Sequence, residues 1–271
     1  MKLKHERYFM HKCLQEFLNN FIELQNVEAI AMGGSTSAQT SDNNSDIDIY
    51  IFSKTDIPIE VRENIIKPNS SKYEIGCEYF GAGDEFILDS FGKQLDIMYW
   101  NIDWFESVIN NTWIKCYPQN GYTTCFLYTL KNFNIVYDKN NWLQNLQKVI
   151  NTPYPEKLKE NIIKRNLMLM KDKPFASYYE QIEKAVLRND VTSINHRISA
   201  FVASYFDVIF ALNEQLHPGE KRLIQFAKNN CKKLPKNFEE NLLKLFEQPN
   251  VSTLEILNSI VSELKTLITS S

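Results

Sequence analysis

Cysteine is scarce and unpatterned in this 271-residue chain. Cys13, Cys77, Cys116, Cys125 and Cys231 are odd in number and never stand as Cys-x-x-Cys, which argues against a disulfide framework or a zinc knuckle. No apolar run approaches the roughly 18 residues of a membrane span. The opening Met1-Lys2-Leu3-Lys4-His5-Glu6-Arg7 is charged and lacks the apolar core of a signal peptide. An excess of basic charge is also missing. The net charge is −3 and the pI about 5.9, unlike the basic footprint of a dedicated nucleic-acid binder. These absences lead to the expectation of a soluble, cytoplasmic protein with no membrane partner. Two phosphate-binding motifs are absent as well: no Gly-Lys-Ser/Thr follows Gly34, and no Gly-x-Gly-x-x-Gly occurs. Asp42-Asn43-Asn44-Ser45-Asp46 opens like an EF-hand loop. Ile47 stands where that loop requires Gly, however, and Ser53 where it requires Glu.

What is present is concentrated between Ala29 and Phe52. An apolar run ends in Gly33-Gly34-Ser35, a small polar loop follows, and Asp46 and Asp48 then alternate with Ile47, Ile49 and Ile51. Strict alternation marks a strand. Side chains two apart on a strand share a face, roughly 6.5–7 Å apart along it, so two carboxylates so placed can grip divalent cations. The glycines offer bare backbone N–H groups to a phosphate just upstream. A phosphate cradle beside a metal clamp is what phosphoryl or nucleotidyl transfer needs. The alternative reading, a buried strand with two turn aspartates, leaves charge inside a strand pattern without a partner.

Gly34-Ser35, ten intervening residues and Asp46-Ile47-Asp48-Ile49 resemble the signature of the nucleotidyltransferase superfamily that includes DNA polymerase β and the kanamycin and streptomycin adenylyltransferases. That resemblance implies a third carboxylate on a later strand, and Asp96 in Lys93-Gln94-Leu95-Asp96-Ile97-Met98-Tyr99-Trp100 supplies a candidate. It also implies an α+β fold: an N-terminal mixed-sheet nucleotidyltransferase domain over residues 1–150, then an all-α helical bundle over 151–271. The implied roles follow. Asp46 and Asp48 hold Mg²⁺ against the phosphates of a nucleoside triphosphate, ATP by preference. Gly33, Gly34 and Ser35 hold its tail. Asp96 is a third metal ligand or the base for an acceptor hydroxyl.

The rest of the chain fits that plan. Glu6 to Glu23 carries Leu14, Phe17, Leu18, Phe21 and Ile22 at helical spacing. His5 and His11, six apart, are poorly spaced as ligands and read as solvent-facing. Ser37-Ala38-Gln39 offers a first helical turn after the glycines. Ile57 to Ile66 reads as a helix with Pro58 at its start, Tyr73 to Phe80 as a strand, Gly81-Ala82-Gly83-Asp84 as a turn, and Glu85 to Leu88 as a short strand. Glu74, Glu78 and Glu85 read as a solvated strand face. Asp103 to Trp113 and Asn140 to Ile150 read as helices flanking an edge strand, Asn134 to Asp138. Asn151-Thr152-Pro153-Tyr154-Pro155 is the best linker.

Beyond it, Glu156 to Lys171, Pro174 to Arg188, Val191 to Gln215, Pro218 to Asn230, Lys236 to Gln248 and Ser252 to Leu267 read as helices. The wide apolar stripe of the third makes it the core of a bundle. Polar candidates gather near it: Tyr178-Tyr179, Arg188-Asn189-Asp190, Asn195-His196-Arg197 and the run from Leu212 to Arg222. That run resembles a family of bacterial nucleotidyltransferase-like proteins of unassigned substrate. Lys221 is a candidate triphosphate contact across an interdomain cleft; its plain alternative is a solvated first helical turn. His196 reads as a core or surface histidine before a base. Lys221, Arg222, Lys228, Lys232, Lys233 and Lys236 read as a solvated face that keeps an RNA contact open.

The expected function is Mg²⁺-dependent adenylylation of a hydroxyl on a small molecule, such as an aminoglycoside or lincosamide antibiotic, bound between the two domains. A protein or tRNA acceptor, as in antitoxin-type enzymes, and a non-catalytic nucleotide binder on the same fold are the alternatives. Net acidity favours a cationic small acceptor over nucleic acid. The sequence leaves the oligomeric state open.

Overall fold

The computed structural model describes residues 2–33, 46–79, 81–172, 175–247 and 252–270, with side chains from residue 12 onward. The chain gathers into two compact units. One comprises Met1–Ile109 and Thr129–Thr152, the other Asn110–Tyr128 and Pro153–Ser271.

The first unit is built on a six-stranded sheet. Its elements are α1 (Lys2–Ile22), β1 (Val27–Met32), β2 (Ile47–Ser53), α2 (Ile59–Ile66), β3 (Tyr73–Cys77), β4 (Gly83–Leu88), β5 (Lys93–Asn101) and α3 (Ile102–Ile109). After an excursion into the second unit, α4 (Cys125–Lys131) leads back to β6 (Asn134–Asp138) and α5 (Trp142–Ile150). The strand order is β3-β4-β5-β2-β1-β6. Among the described strands β2 and β5 pair in parallel and the other neighbours antiparallel, so the sheet is mixed.

Alternation decides which face each strand buries. Ile47, Ile49 and Ile51 of β2 line up with Leu95, Ile97 and Tyr99 of β5. This face packs against Leu14, Phe17, Leu18 and Phe21 of α1 and Ile66 of α2. The α1 spacing of three, one and three is one face of a helix. Each such side chain, fully buried, contributes about 1.5–3 kcal/mol. On the opposite face, Tyr50, Phe52 and Trp100 meet Phe105, Phe133 and Trp142, with ring centroids 4.7 Å apart for Tyr50–Trp100 and 5.3 Å for Phe52–Trp142.

One turn assignment is corrected. Gly83 and Asp84 belong to β4, and the Asp84 side chain points into the core face. There it accepts hydrogen bonds from Arg62 (3.0 Å), the Gly76 N–H (2.7 Å) and the Tyr99 hydroxyl (2.6 Å). A buried carboxylate is tolerable because a buried cation and two neutral donors meet it. α5 begins at Trp142, later than its periodicity suggests. Asn140 and Asn141 take φ of 57°, and Asp138 caps the helix by accepting from Leu143 and Gln144 N–H, both at 2.9 Å.

The second unit is helical: α6 (Glu156–Leu167), α7 (Tyr178–Leu187), α8 (Val191–Leu212), α9 (Leu223–Asn230), α10 (Phe238–Phe246) and α11 (Ser252–Thr269). Ser177 and Glu180 close a capping box on α7, and Asp190 caps α8. Every residue from Phe201 to Leu212 is buried, so α8 is the axis around which the others pack. It stops at Leu212, where Asn213 clamps Lys233 through its N–H and carbonyl (both 2.7 Å). α9 starts only at Leu223, after Arg222 adopts φ 54°, and not at Pro218. Among the described residues, no helix is long and apolar enough to cross a membrane.

Candidate active site

The parallel pairing of β2 with β5 sets Asp48 directly beside Asp96. The antiparallel β4–β5 pair sets Glu85 opposite Asp96, and β3–β4 sets Glu74 opposite Glu85. Registered neighbours share a face with Cβ atoms about 4.5–5.5 Å apart. Four adjacent strands therefore carry a row of carboxylates, Asp48–Asp96–Glu85–Glu74, across one face. Along β2 that face passes from Asp48 to Tyr50 and Phe52, and along β5 from Asp96 to Met98 and Trp100. The row is thus bordered by the aromatic cluster.

Asp46 lies just before β2, exposed, and its charge reaches both Asp96 and Glu85. The Asp96 carboxyl titrates above its ordinary value, chiefly through burial and further through Asp46, while a 3.0 Å bond from Gln94 Nε2 pulls it back. Glu85 is raised by burial, then by Asp96, Glu74 and Asp46. Like charges so crowded favour protonation or a cation between them. Burial and the charge of Asp48 together hold the Tyr50 hydroxyl protonated. Among the described residues, no three His, Cys, Asp or Glu side chains already converge on one metal-holding point.

Gly33 is tied to the same strand. Its N–H donates to the Asp48 carbonyl at 3.0 Å, so that N–H serves the strand ladder. The lack of a side chain is what the position requires: a Cβ there would lie 2.5 Å from Cε2 of Tyr50, whose ring is pinned between Trp100 and Phe133. Gly34, Ser35 and the proposed turn at Ser37-Ala38-Gln39 lie outside the described residues, as do the side chains of His5 and His11.

The remaining candidates belong to the helical unit. Lys221 is exposed in the turn before α9, and His196 is exposed on α8. The buried polar centre of this unit lies elsewhere. Asp207 on α8 accepts from Thr123 N–H (3.0 Å), Thr123 Oγ1 (2.6 Å) and Asn166 Nδ2 (3.1 Å). Burial pushes its carboxyl up to about 6. His217, fully buried between the rings of Tyr122 and Phe210, accepts the Gly219 N–H on Nδ1 at 3.2 Å. Burial depresses it to about 3.

The alignment of Glu85 with Asp96 was readable in principle. Asp89-Ser90-Phe91-Gly92 is a four-residue turn, with Gly92 at φ 66° and Leu88 opposite Lys93. Counting back from it places Glu85 opposite Asp96, because turn length sets hairpin register. The Asp48–Asp96 register had no local signal: the two strands are parallel and far apart in sequence.

A family model described as "Domain of unknown function (DUF4037)" matches residues 122–223, which is less than half of the chain. No curated protein matches. Among solved structures, the chain is similar to a nucleotidyltransferase-like protein from Exiguobacterium sibiricum at 10% identity and a TM-score of 0.47, covering 96% of this chain and 75% of that one. It is similar to a spectinomycin adenyltransferase from Enterococcus faecialis, solved with ATP and spectinomycin, at 16% identity and a TM-score of 0.29, covering 95% and 99%. It is also similar to a Thermotoga maritima CCA-adding enzyme complexed with tRNA, at 13% identity and a TM-score of 0.28, covering 97% and 80%. A shared activity does not follow from likeness at these identities and scores.

Proposed function

We propose that the sheet unit transfers a nucleoside monophosphate, AMP from ATP, to a hydroxyl of a small molecule. The observation that carries this reading is the registered carboxylate row, with Asp46 at its edge. Its donors are all oxygens and repel one another. That suits a hard cation such as Mg²⁺, which takes one or two protein carboxylates and keeps the rest of its shell for water and substrate phosphates. Asp46 and Asp48 would hold it; when bound, it supplies charge neutralisation at the phosphoryl oxygens. Asp96, oriented by Gln94, accepts the proton of the acceptor hydroxyl as the oxygen attacks the α-phosphorus in line and pyrophosphate leaves. Gly33 keeps the start of the phosphate-side loop bound to the Asp48 strand. Glu85 and Glu74 extend the negative face and, with the net charge of −3, favour a cationic acceptor of the aminoglycoside or lincosamide kind.

The test is calorimetric titration of ATP with and without Mg²⁺ on the wild type and on Asp46→Asn/Asp48→Asn, paired with pyrophosphate release in the presence of candidate acceptors. ATP binding should need both Mg²⁺ and the carboxylates, and Asp48→Asn alone should lower turnover on the order of a hundredfold or more while leaving the fold intact. Full turnover in the Asp48→Asn protein would end the scheme.

A further inference from the structure

The helical unit contains a concave pocket of about 600 Å³, within the range that holds a drug-sized ligand. One wall is a single face of α6 and the turn that continues it: Lys157, Asn161, Lys164 and Arg165 on the helix and Met168 just past its end recur at the four, three, one and three spacing that keeps residues on one side of a helix. The opposite wall is the segment from Lys115 to Asn120. Two bonds lock the walls together: Asn161 Nδ2 to the Cys116 carbonyl (2.9 Å) and Arg165 Nε to Asn120 Oδ1 (2.8 Å). Among the described residues, four cationic side chains line the space, Lys115, Lys157, Lys164 and Arg165, and no Asp or Glu does.

In a chain of net charge −3, this concentration of one sign needs a reason. The helix dipole favours Lys164 and Arg165, which lie in the last turn of α6, but disfavours Lys157, which lies in the first. Among the described residues, none of the four forms an ion pair. Tyr117 and Met168 add exposed apolar surface beside the charges, at 61% and 40% of their full area. Cations converging beside an aromatic ring and a thioether match a ligand with an anionic end and a flat body.

We propose that this pocket binds a small organic phosphate. Its phosphate lies against Lys157, Lys164 and the terminal nitrogens of Arg165, and its flat body against Tyr117 and Met168. The proposal does not depend on nucleotidyl transfer at the sheet. A carboxylate row needs a divalent cation to hold a phosphate, whereas a cationic pocket needs none, and that difference separates the two sites.

The experiment is titration of ADP in EDTA against the full chain. Binding without any divalent ion is expected, weakening as salt rises. It should weaken about tenfold or more in Lys157→Ala/Lys164→Ala. Both lysines are exposed, so that protein should fold, which circular dichroism checks. Asp46→Asn/Asp48→Asn should leave metal-free binding unchanged, even if the carboxylate reading fails. Adenosine, lacking phosphate, should not compete. Three results would overturn the proposal: no ADP binding in EDTA at millimolar concentration, binding undiminished in the double lysine variant, or binding confined to single-stranded RNA.

Discussion

Among the described residues, each compact unit buries one aspartate in its core, and the two are treated differently. In the sheet unit, Asp84 meets the Arg62 guanidinium at 3.0 Å together with two neutral donors, and Arg62 also lies 4.7 Å above the Tyr99 ring. In the helical unit, Asp207 meets neutral donors only. Burial raises both carboxyls, and at Asp84 Tyr99, Gly76 and Arg62 oppose it. The difference shows two uses of a buried charge. The Asp84 group bolts α2 and β3 under β4 and β5, below the carboxylate row. Asp207 instead ties the loop at Thr123 to the central helix, in a form whose proton is exchangeable near neutral pH.

Breaking the compensated pair should have the largest effect. Arg62→Ala strands a buried carboxylate and should cost about 3–5 kcal/mol, read as an earlier urea transition of the sheet unit at pH 7. A loss under 1 kcal/mol would show that Asp84 is protonated and needs no cation.

Gly121 tests the helical unit's loop. It sits at φ 86°, and a Cβ would lie 2.8 Å from the Ala203 Cβ. Its N–H donates to Asn166 Oδ1 at 3.1 Å, next to Asp207. Gly121→Ala should cost about 1–3 kcal/mol and shift the helical-unit transition alone; loss in the sheet unit instead would contradict the division of contacts.

The sharpest test of the comparison is pH. With its carboxyl raised to about 6 from an ordinary 3.8, Asp207 contributes stability that is full below about pH 4 and lost as pH rises through about 6. His217, depressed to about 3 from 6.5, acts oppositely: its contribution is present above about 6.5 and lost as pH falls. Asp207→Asn should therefore gain on the wild type by roughly 2–3 kcal/mol between pH 4 and 7, measured by urea denaturation across that range. Parallel curves would mean that Asp207 is charged throughout. As the small-effect counterpart, Lys228→Ala removes an exposed pair with Glu239 and should change stability by about 0.5 kcal/mol or less, with no pH slope between 5 and 8.

Much of the architecture was legible because it is written locally. Alternation at Asp46–Ile51 and around Asp96 marks strands that do form, with Asp46 just outside the first, and the apolar stripe of α8 marks the core helix. Asp84 was misread because Gly81-Ala82-Gly83 looks like a turn, and the pairing with β5 that overrides it is not local. Glu85 read as a solvated face because exposure alone does not reveal what lies opposite.

The sequence by itself determined which residues become strands and helices, and that Asp46, Asp48 and Asp96 fall in or beside strands. Hydrophobic period and turn residues act over a few positions and leave a trace in the letters. Only the tertiary structure decided that Asp48 and Asp96 stand side by side, that Asp84 finds Arg62, and that Lys115 joins the cationic face of α6. Those meetings are set by strand order and by packing between distant segments. There, many small burial terms acting together choose the arrangement, and no short stretch of sequence carries their sum.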